Sequence, residues 1–296
     1  FIRCRKLFPL AGIMLQFTNM ILKDYFICLY FERKEVTFVN RDQSMVLARL
    51  HLGAILPLLE DVAEYDPVVQ EAISGWNFAL QFRLAGGDPS TTLVFKDGRV
   101  TVQRDGSKGF TPALTFKDAE FLNEVFQGRT QKSPRPNLAG IFKARQLMQL
   151  DKVLGRLEHY LKPQPETLAD PETFAFCVRL TLYAVAFGIK EVGEHDPEVR
   201  PIVLELPDGT VEMRIVNGPA AHLVVKGGRF EAQRGPAEKP NAILEIADLQ
   251  TAWDTFQGNI DTFGAVGSGR IRLRGLIPLV EGINPLMDRL AYYLSD

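Results

Sequence analysis

Leu93-Val94-Phe95-Lys96-Asp97-Gly98-Arg99-Val100-Thr101-Val102-Gln103-Arg104 reads as two strands around a tight turn. It occurs again as Leu223-Val224-Val225-Lys226-Gly227-Gly228-Arg229-Phe230-Glu231-Ala232-Gln233-Arg234. Outward from this pair, Arg49 to Gly128 falls on Arg179 to Gly258 without a gap. Asp66-Pro67 meets Asp196-Pro197, Pro89 meets Pro219, Asp118 meets Asp248, and Phe126-Gln127-Gly128 meets Phe256-Gln257-Gly258. The period, about 130 residues, is far beyond that of a solenoid, so each copy is a whole domain.

Within the first copy, Val46–Glu64 carries a helical stripe (Leu50, Ala54, Leu58, Val62) with Pro57 as a kink. Asp66-Pro67 opens a second, short helix, which Gly75 stops. From Phe78 to Leu84 the period changes to two, and strands follow at Thr92–Lys96, Arg99–Arg104 and Ala113–Phe116. Asp118 caps a helix ending at Gly128, and a long helix closes the copy through Leu161. The second copy repeats the order: helix Phe174–Val192, strands Thr210–Val216, His222–Lys226, Arg229–Arg234 and Ile243–Ile246, and helix Asp248–Phe256. It adds strand Ile271–Arg274 and closing helix Leu276–Leu294. The fold class is α+β, a mostly antiparallel sheet with helices on one side.

The 296 residues divide into a first domain, 45–162, a Pro-rich linker, 163–173, and a second domain, 174–296. Residues 1–44 have no counterpart and begin with Phe1. They read either as sequence upstream of a true start at Met45, not native or disordered, or as a membrane-facing anchor. A net charge of −2 argues against a nucleic-acid partner. The three scattered cysteines form neither a disulfide framework nor a zinc knuckle, which points to a cytoplasmic, reducing location. His51, His159, His195 and His222 lack metal-ligand spacing and do not align between the copies. No nucleophile elbow, phosphate loop or dinucleotide fingerprint occurs, so no cofactor, metal or catalytic residue is expected.

The order of these motifs, with Ala242-Ile243-Leu244-Glu245-Ile246-Ala247-Asp248, Phe256-Gln257-Gly258 and Gly269-Arg270-Ile271-Arg272-Leu273-Arg274-Gly275, resembles the sterol carrier protein 2 family in two tandem copies. The resemblance implies five-stranded sheets with helices enclosing an apolar tunnel, and non-catalytic binding or transport of a fatty acyl, sterol-like or isoprenoid lipid. The first copy departs from the pattern. It offers Ala139-Gly140-Ile141-Phe142-Lys143-Ala144-Arg145 where the last strand should stand, so that strand should be short or missing.

Such a tunnel needs apolar side chains on a movable helix. The candidate lipid-binding residues are Leu276, Leu279, Val280, Ile283, Met287 and Leu290 in the second copy, and Leu147, Met148, Leu150, Val153, Leu154 and Leu157 in the first. The bland alternative for each is plain core packing. Arg270, Arg272 and Arg274 share one strand face, which meets water, an acidic partner or an anionic head group. Gly264–Gly269 reads as a flexible loop, and Glu60, Asp61 and Glu64 as a solvated helical face. The competing function is an accessory module for an enzyme acting on hydrophobic substrates, its tunnels collapsed around Phe116, Phe121 and Phe126. Partners are therefore a hydrophobic small molecule, with transient membrane contact and a partner enzyme as further options.

Overall fold

A computed structural model describes residues 41–103 and 111–294. Most of the N-terminal non-repeat segment, Arg104 and the last two residues lie outside the described residues. The chain divides into two compact units, one of Ser44–Leu180 and one containing Thr181–Asp296.

The first unit opens with α1 (Arg41–Leu50), a π-helical turn at His51–Ile55, a 3-10 turn at Leu56–Leu58 and α2 (Leu59–Tyr65). The irregularity centres on Pro57, which has no N–H to continue the ladder. Then come α3 (Pro67–Ile73), β1 (Phe78–Leu84), β2 (Ser90–Lys96), β3 (Arg99–Gln103), β4 (Ala113–Phe116), α4 (Ala119–Phe126), β5 (Arg135–Pro136), α5 (Leu138–Ile141) and α6 (Ala144–Leu161). α7 (Pro171–His195) gives its residues through Leu180 to this unit, because Phe176 stacks on Tyr65 at 3.9 Å and meets Tyr160 edge-on at 4.9 Å. By compactness the division therefore falls inside α7, after the Pro-rich stretch. α7 is long and apolar enough to cross a membrane, but 72% of that apolar window is buried, as in a core helix.

The second unit continues with α8 (Arg200–Glu205), β6 (Gly209–Ile215), β7 (Ala220–Lys226), β8 (Arg229–Arg234), β9 (Ala242–Ile246), α9 (Leu249–Phe256), α10 (Thr262–Gly267), β10 (Ile271–Gly275) and α11 (Ile277–Leu294). The glycine-rich stretch read as a loop is thus largely helical, with Asp261 Oδ2 accepting the Gly264 N–H at 3.1 Å.

Each unit holds one five-stranded sheet of the same topology, β3-β2-β1-β4-β5 and β8-β7-β6-β9-β10. A meander of three antiparallel strands is extended by one strand parallel to its first, and a last strand pairs antiparallel with that one. The architecture is α+β, and the sheets are mixed. The Asp97-Gly98 turn has φ of 52° and 73°, and Gly227-Gly228 has 55° and 70°, the left-handed pair that a two-residue hairpin needs.

The gapless alignment of the sequence hides two compensating shifts. Gln81 pairs with Thr92 in the first sheet, and Glu212 with His222 in the second. Gln81 therefore corresponds to Glu212, one place beyond the sequence offset. The turn from Ala85 to Pro89 is one residue longer than Val216 to Pro219, while the approach from Asp66 to Phe78 is one shorter than that from Asp196 to Gly209. The correction matters because a one-residue slip turns every side chain to the opposite face. With it, Leu80, Phe82 and Leu84 match Val211, Met213 and Ile215, all buried.

The last strand of the first copy is short, as expected, but it lies at Arg135–Pro136, not at Ala139–Arg145. Pro134 and Pro136 limit its ladder. Asn137 then starts α5, its Oδ1 accepting from Gly140 N at 2.8 Å and from Ala113 N at 3.0 Å.

In the second unit α7 and α11 meet through glycines. A Cβ on Gly193 would lie 2.7 Å from the Phe230 ring and 2.8 Å from Leu286, whereas one on Gly155 of α6 would meet nothing within 4 Å. Gly193→Val should therefore destabilise by about 1–3 kcal/mol through overpacking, and Gly155→Ala should stabilise by about 0.5–1 kcal/mol through helix propensity. Urea unfolding of both variants checks the contrast.

Candidate functional site

The inner face of α11 collects five of the second-copy candidates. Leu279, Val280, Ile283, Met287 and Leu290 are buried, and the helix lies against β6, β9 and β10. Leu276 precedes the helix and is 37% exposed. Leu286, Tyr293 and Leu294 complete the buried stripe and were not anticipated. In the first copy Leu150, Val153 and Leu157 are buried, Leu147 and Leu154 half-buried, and Met148 lies on the exposed face. There α6 packs on α2, α3 and α5.

The ring clusters of the first copy are largely without counterpart at the matching positions of the second. Around α4, Phe116 lies 6.1 Å from Phe121 and 6.3 Å from Phe126, and Phe82 lies 6.5 Å from Phe126. His51 stacks on Phe126 at 5.0 Å. Trp76, Phe78 and Phe95 form a second ring cluster, with centroids 4.9–5.5 Å apart. At the matching positions the second copy has Ile246 for Phe116, Thr251 for Phe121, Met213 for Phe82, Thr181 for His51 and Val225 for Phe95. Only Phe256 keeps its ring.

A polar constellation recurs in both copies, and the sequence reading missed it. Asp66, at the start of α3, and Asp196, in the turn between α7 and α8, are fully enclosed. Asp66 Oδ1 accepts the Val68 N–H at 2.8 Å; its Oδ2 accepts from Arg156 Nε and, at 3.1 Å, from Tyr160 Oη. Asp196 Oδ1 accepts the Glu198 N–H at 2.7 Å; its Oδ2 accepts from Arg289 Nε and Tyr293 Oη, both at 2.8 Å. Burial, with the Asp66 charge, pushes the Tyr160 phenol up to about 12, and burial with the Asp196 hydrogen bond raises Tyr293 in the same direction. Arg-x-x-x-Tyr stands in both closing helices, so a signal existed. It lies three places off the shared offset, where a gapless comparison does not look.

The strand arginines are engaged. Glu245 of β9 accepts from Arg214 at 2.6 and 3.1 Å and from Arg274 at 3.2 Å, with Arg272 at 3.7 Å. The Arg214 hydrogen bonds hold the Glu245 carboxyl below its usual range. Glu212, buried alongside, accepts from Ala237 N at 2.8 Å. The matching first-sheet face has no carboxylate beside Thr115: Arg83 donates to Thr115 Oγ1 at 3.4 Å, and Arg135 stands opposite Thr115 in the ladder. Nor is the α2 acidic group simply solvated: Asp61 is buried, Glu60 accepts the Val102 N–H, and only Glu64 is exposed.

Three buried polar atoms of the first copy, His51 Nε2, Thr92 Oγ1 and Asn123 Oδ1, have no hydrogen-bond partner among the described residues. Burial, then the Lys162 charge, pushes the His51 imidazole down to about 3. Burial raises the Cys177 thiol to about 12, which keeps it protonated and a poor nucleophile. Among the described residues no group of three metal-ligating side chains forms.

No family model matches the chain, and no curated protein does. Among solved structures it is similar to the sterol carrier protein domain 2 of Helicoverpa armigera, at 19% identity over 38% of this chain and 89% of that one, TM-score 0.31. It is similar to a crystal structure of sterol carrier protein 2, at 18% identity over 38% and 95%, TM-score 0.29. A third is the UbiJ-SCP2 ubiquinone synthesis protein, at 12% identity over 38% and 93%, TM-score 0.28. The resemblance read from the sequence names the same fold, and this chain builds its five-stranded sheet twice.

Replacing a buried carboxylate strands its arginine, a loss of about 3–5 kcal/mol where the pair is well enclosed. Asp196→Ala should cost more than Asp66→Ala, because the Arg289 side chain is 16% exposed and that of Arg156 31%. Differential scanning calorimetry of both variants tests the order. His51 is held neutral in the fold but protonates near pH 6.5 when unfolded, so its contribution is present above that pH and lost as pH falls toward about 3. Urea midpoints of the wild type should drop between neutral pH and about pH 4.5, and His51→Leu should flatten that drop.

Proposed function

We propose that this chain binds and carries a lipid or another long hydrophobic small molecule, without catalysis, in an apolar tunnel of the second copy. The observation that carries the reading is the replacement of Phe82, Phe95, Phe116 and Phe121 by Met213, Val225, Ile246 and Thr251, in a copy whose closing helix touches β6, β9 and β10. In this reading the ring volume lost at these positions, set against the rings gained at Tyr183, Phe187 and Phe230, leaves room for an acyl chain or fused-ring system. Its burial there gains about 25 cal/mol per Å² of apolar surface removed from water. Met287 adds adaptable surface, and α11 is the element whose displacement would release the ligand. The first copy, filled by rings, suits the accessory reading instead: a scaffold that has kept the fold and closed the interior.

The test is native mass spectrometry of the full chain purified from a heterologous host, together with its melting temperature in added fatty acids and sterols. A co-purifying lipid and a rise in melting temperature are expected. Ile246→Phe with Thr251→Phe, which rebuilds the first copy's rings in the second, should remove the bound lipid while the protein stays folded by circular dichroism. If no lipid is found and no ligand raises the melting temperature, the reading fails. If the double variant retains its lipid, the tunnel is not in the second copy.

A further inference from the structure

The corner between β5 and α6 of the first copy exposes an unusual set of side chains. Leu138 is 63% exposed, Ile141 57%, Phe142 76% and Met148 80%, the four most exposed large apolar residues of the described chain bar one, Leu204 at 60%. Leu138, Ile141 and Phe142 stand at i, i+3 and i+4 on one turn and so share a face. The turn is held from below: Asn137 caps it and its Nδ2 donates to Thr111 O at 2.8 Å, while Ala139 and Gly140 are buried.

The charge around this face is of one sign. Between Arg129 and Leu150 the sequence has no Asp or Glu, although the whole chain carries a net −2. Lys132, Arg135 and Arg145 are exposed, and Lys143 lies half-buried with its ammonium 5.3 Å from the Phe78 ring centroid. The second copy does not share the arrangement. There the last strand runs to Gly275, and Arg272 and Arg274 are gathered by Glu245.

We infer that the α5–α6 corner docks the protein on an anionic lipid bilayer, with Leu138, Ile141, Phe142 and Met148 entering the interface and Lys132, Arg135, Lys143 and Arg145 meeting the head groups. Apolar side chains on a capped turn, in a stretch of chain that carries five cations and no carboxylate from Arg129 to Leu150, have the charge complementarity that an anionic membrane surface offers. The inference deepens the lipid-carrying reading, since a carrier must meet the membrane that supplies its ligand.

The experiment is co-sedimentation of the full chain with vesicles of phosphatidylcholine alone and of phosphatidylcholine mixed with phosphatidylglycerol, at low and high salt. Binding is expected to the mixed vesicles, weakening as salt rises. Removing two exposed cations by Lys132→Gln with Arg145→Gln should weaken it roughly 25-fold, about fivefold per charge. Phe142→Asp should abolish it, and neither variant should change the melting temperature, because these side chains are not in the core. The inference is overturned if the chain ignores the mixed vesicles, binds neutral vesicles equally well, or binds unchanged after Phe142→Asp. It is also overturned if Phe142→Asp dissolves a dimer seen by light scattering, which would assign the face to a second copy. Native mass spectrometry of the same sample separates the two readings: a lipid-loaded protein that ignores vesicles removes only the docking inference, and an empty one that binds them removes only the carriage.

Discussion

One buried carboxylate per copy fixes the rest of the architecture. With one oxygen Asp66 caps α3 and Asp196 holds the turn after α7, and with the other each takes an arginine and a tyrosine from the closing helix. A carboxylate so enclosed is tolerable only if its partners are present, so the position of the closing helix is dictated by charge as well as by fit. Sliding α11 by one residue would rotate Arg289 by about 100° away from Asp196. The same rotation would carry Ile283 and Leu290 off the inner face. The apolar stripe therefore points where it does because the ion pair allows one register.

On that common frame the two copies have been filled differently. The first copy has rings at Phe82, Phe95, Phe116 and Phe121 where the second has Met213, Val225, Ile246 and Thr251, while the second buries Tyr183, Phe187 and Phe230 where the first has Gly53, Pro57 and Val100. The outer sheet faces differ too, with Gln81 and Thr115 in one where Glu212 and Glu245 gather arginines in the other. A single backbone plan thus supports two different distributions of aromatic side chains. The pairing registers of β1 with β2 and of β6 with β7 stay matched, because shifts on either side of β1 cancel. Selection against exposing an apolar strand face accounts for that cancellation better than chance does.

Much of this was legible in the residues. Asp-Pro, Asp-Gly, the Asp caps and Phe-Gln-Gly each carry a local backbone preference strong enough to survive any tertiary context, so helices, turns and strands fall close to where the spacing puts them. The inward stripe of α11 was legible for the same reason. The irregular turn at His51–Ile55 was not, since it answers to Pro57 and to packing on Phe126. Nor was the Asp–Arg–Tyr cluster, whose members stand some 90 residues apart and meet only when the closing helix returns. Met148 shows the limit most plainly: helical period identified an apolar stripe on α6, but the neighbours of that helix decide which side is the inside.

The corner after Phe-Gln-Gly is where the copies part, and the cause is local. Pro134 and Pro136 deny the first sheet a full fifth strand, since proline cannot donate to a ladder. Chain that would have been held flat against β4, as Ile271–Gly275 is held against β9, coils instead into the turn Leu138–Ile141. In a strand, alternate side chains would have been divided between the core and the outer face. Coiled, Leu138, Ile141 and Phe142 are pushed to one side with nothing of the sheet to cover them. Two prolines thus convert a piece of sheet edge into a projecting apolar face, at the cost of a few hydrogen bonds, while Asp66 keeps the helix that follows in place.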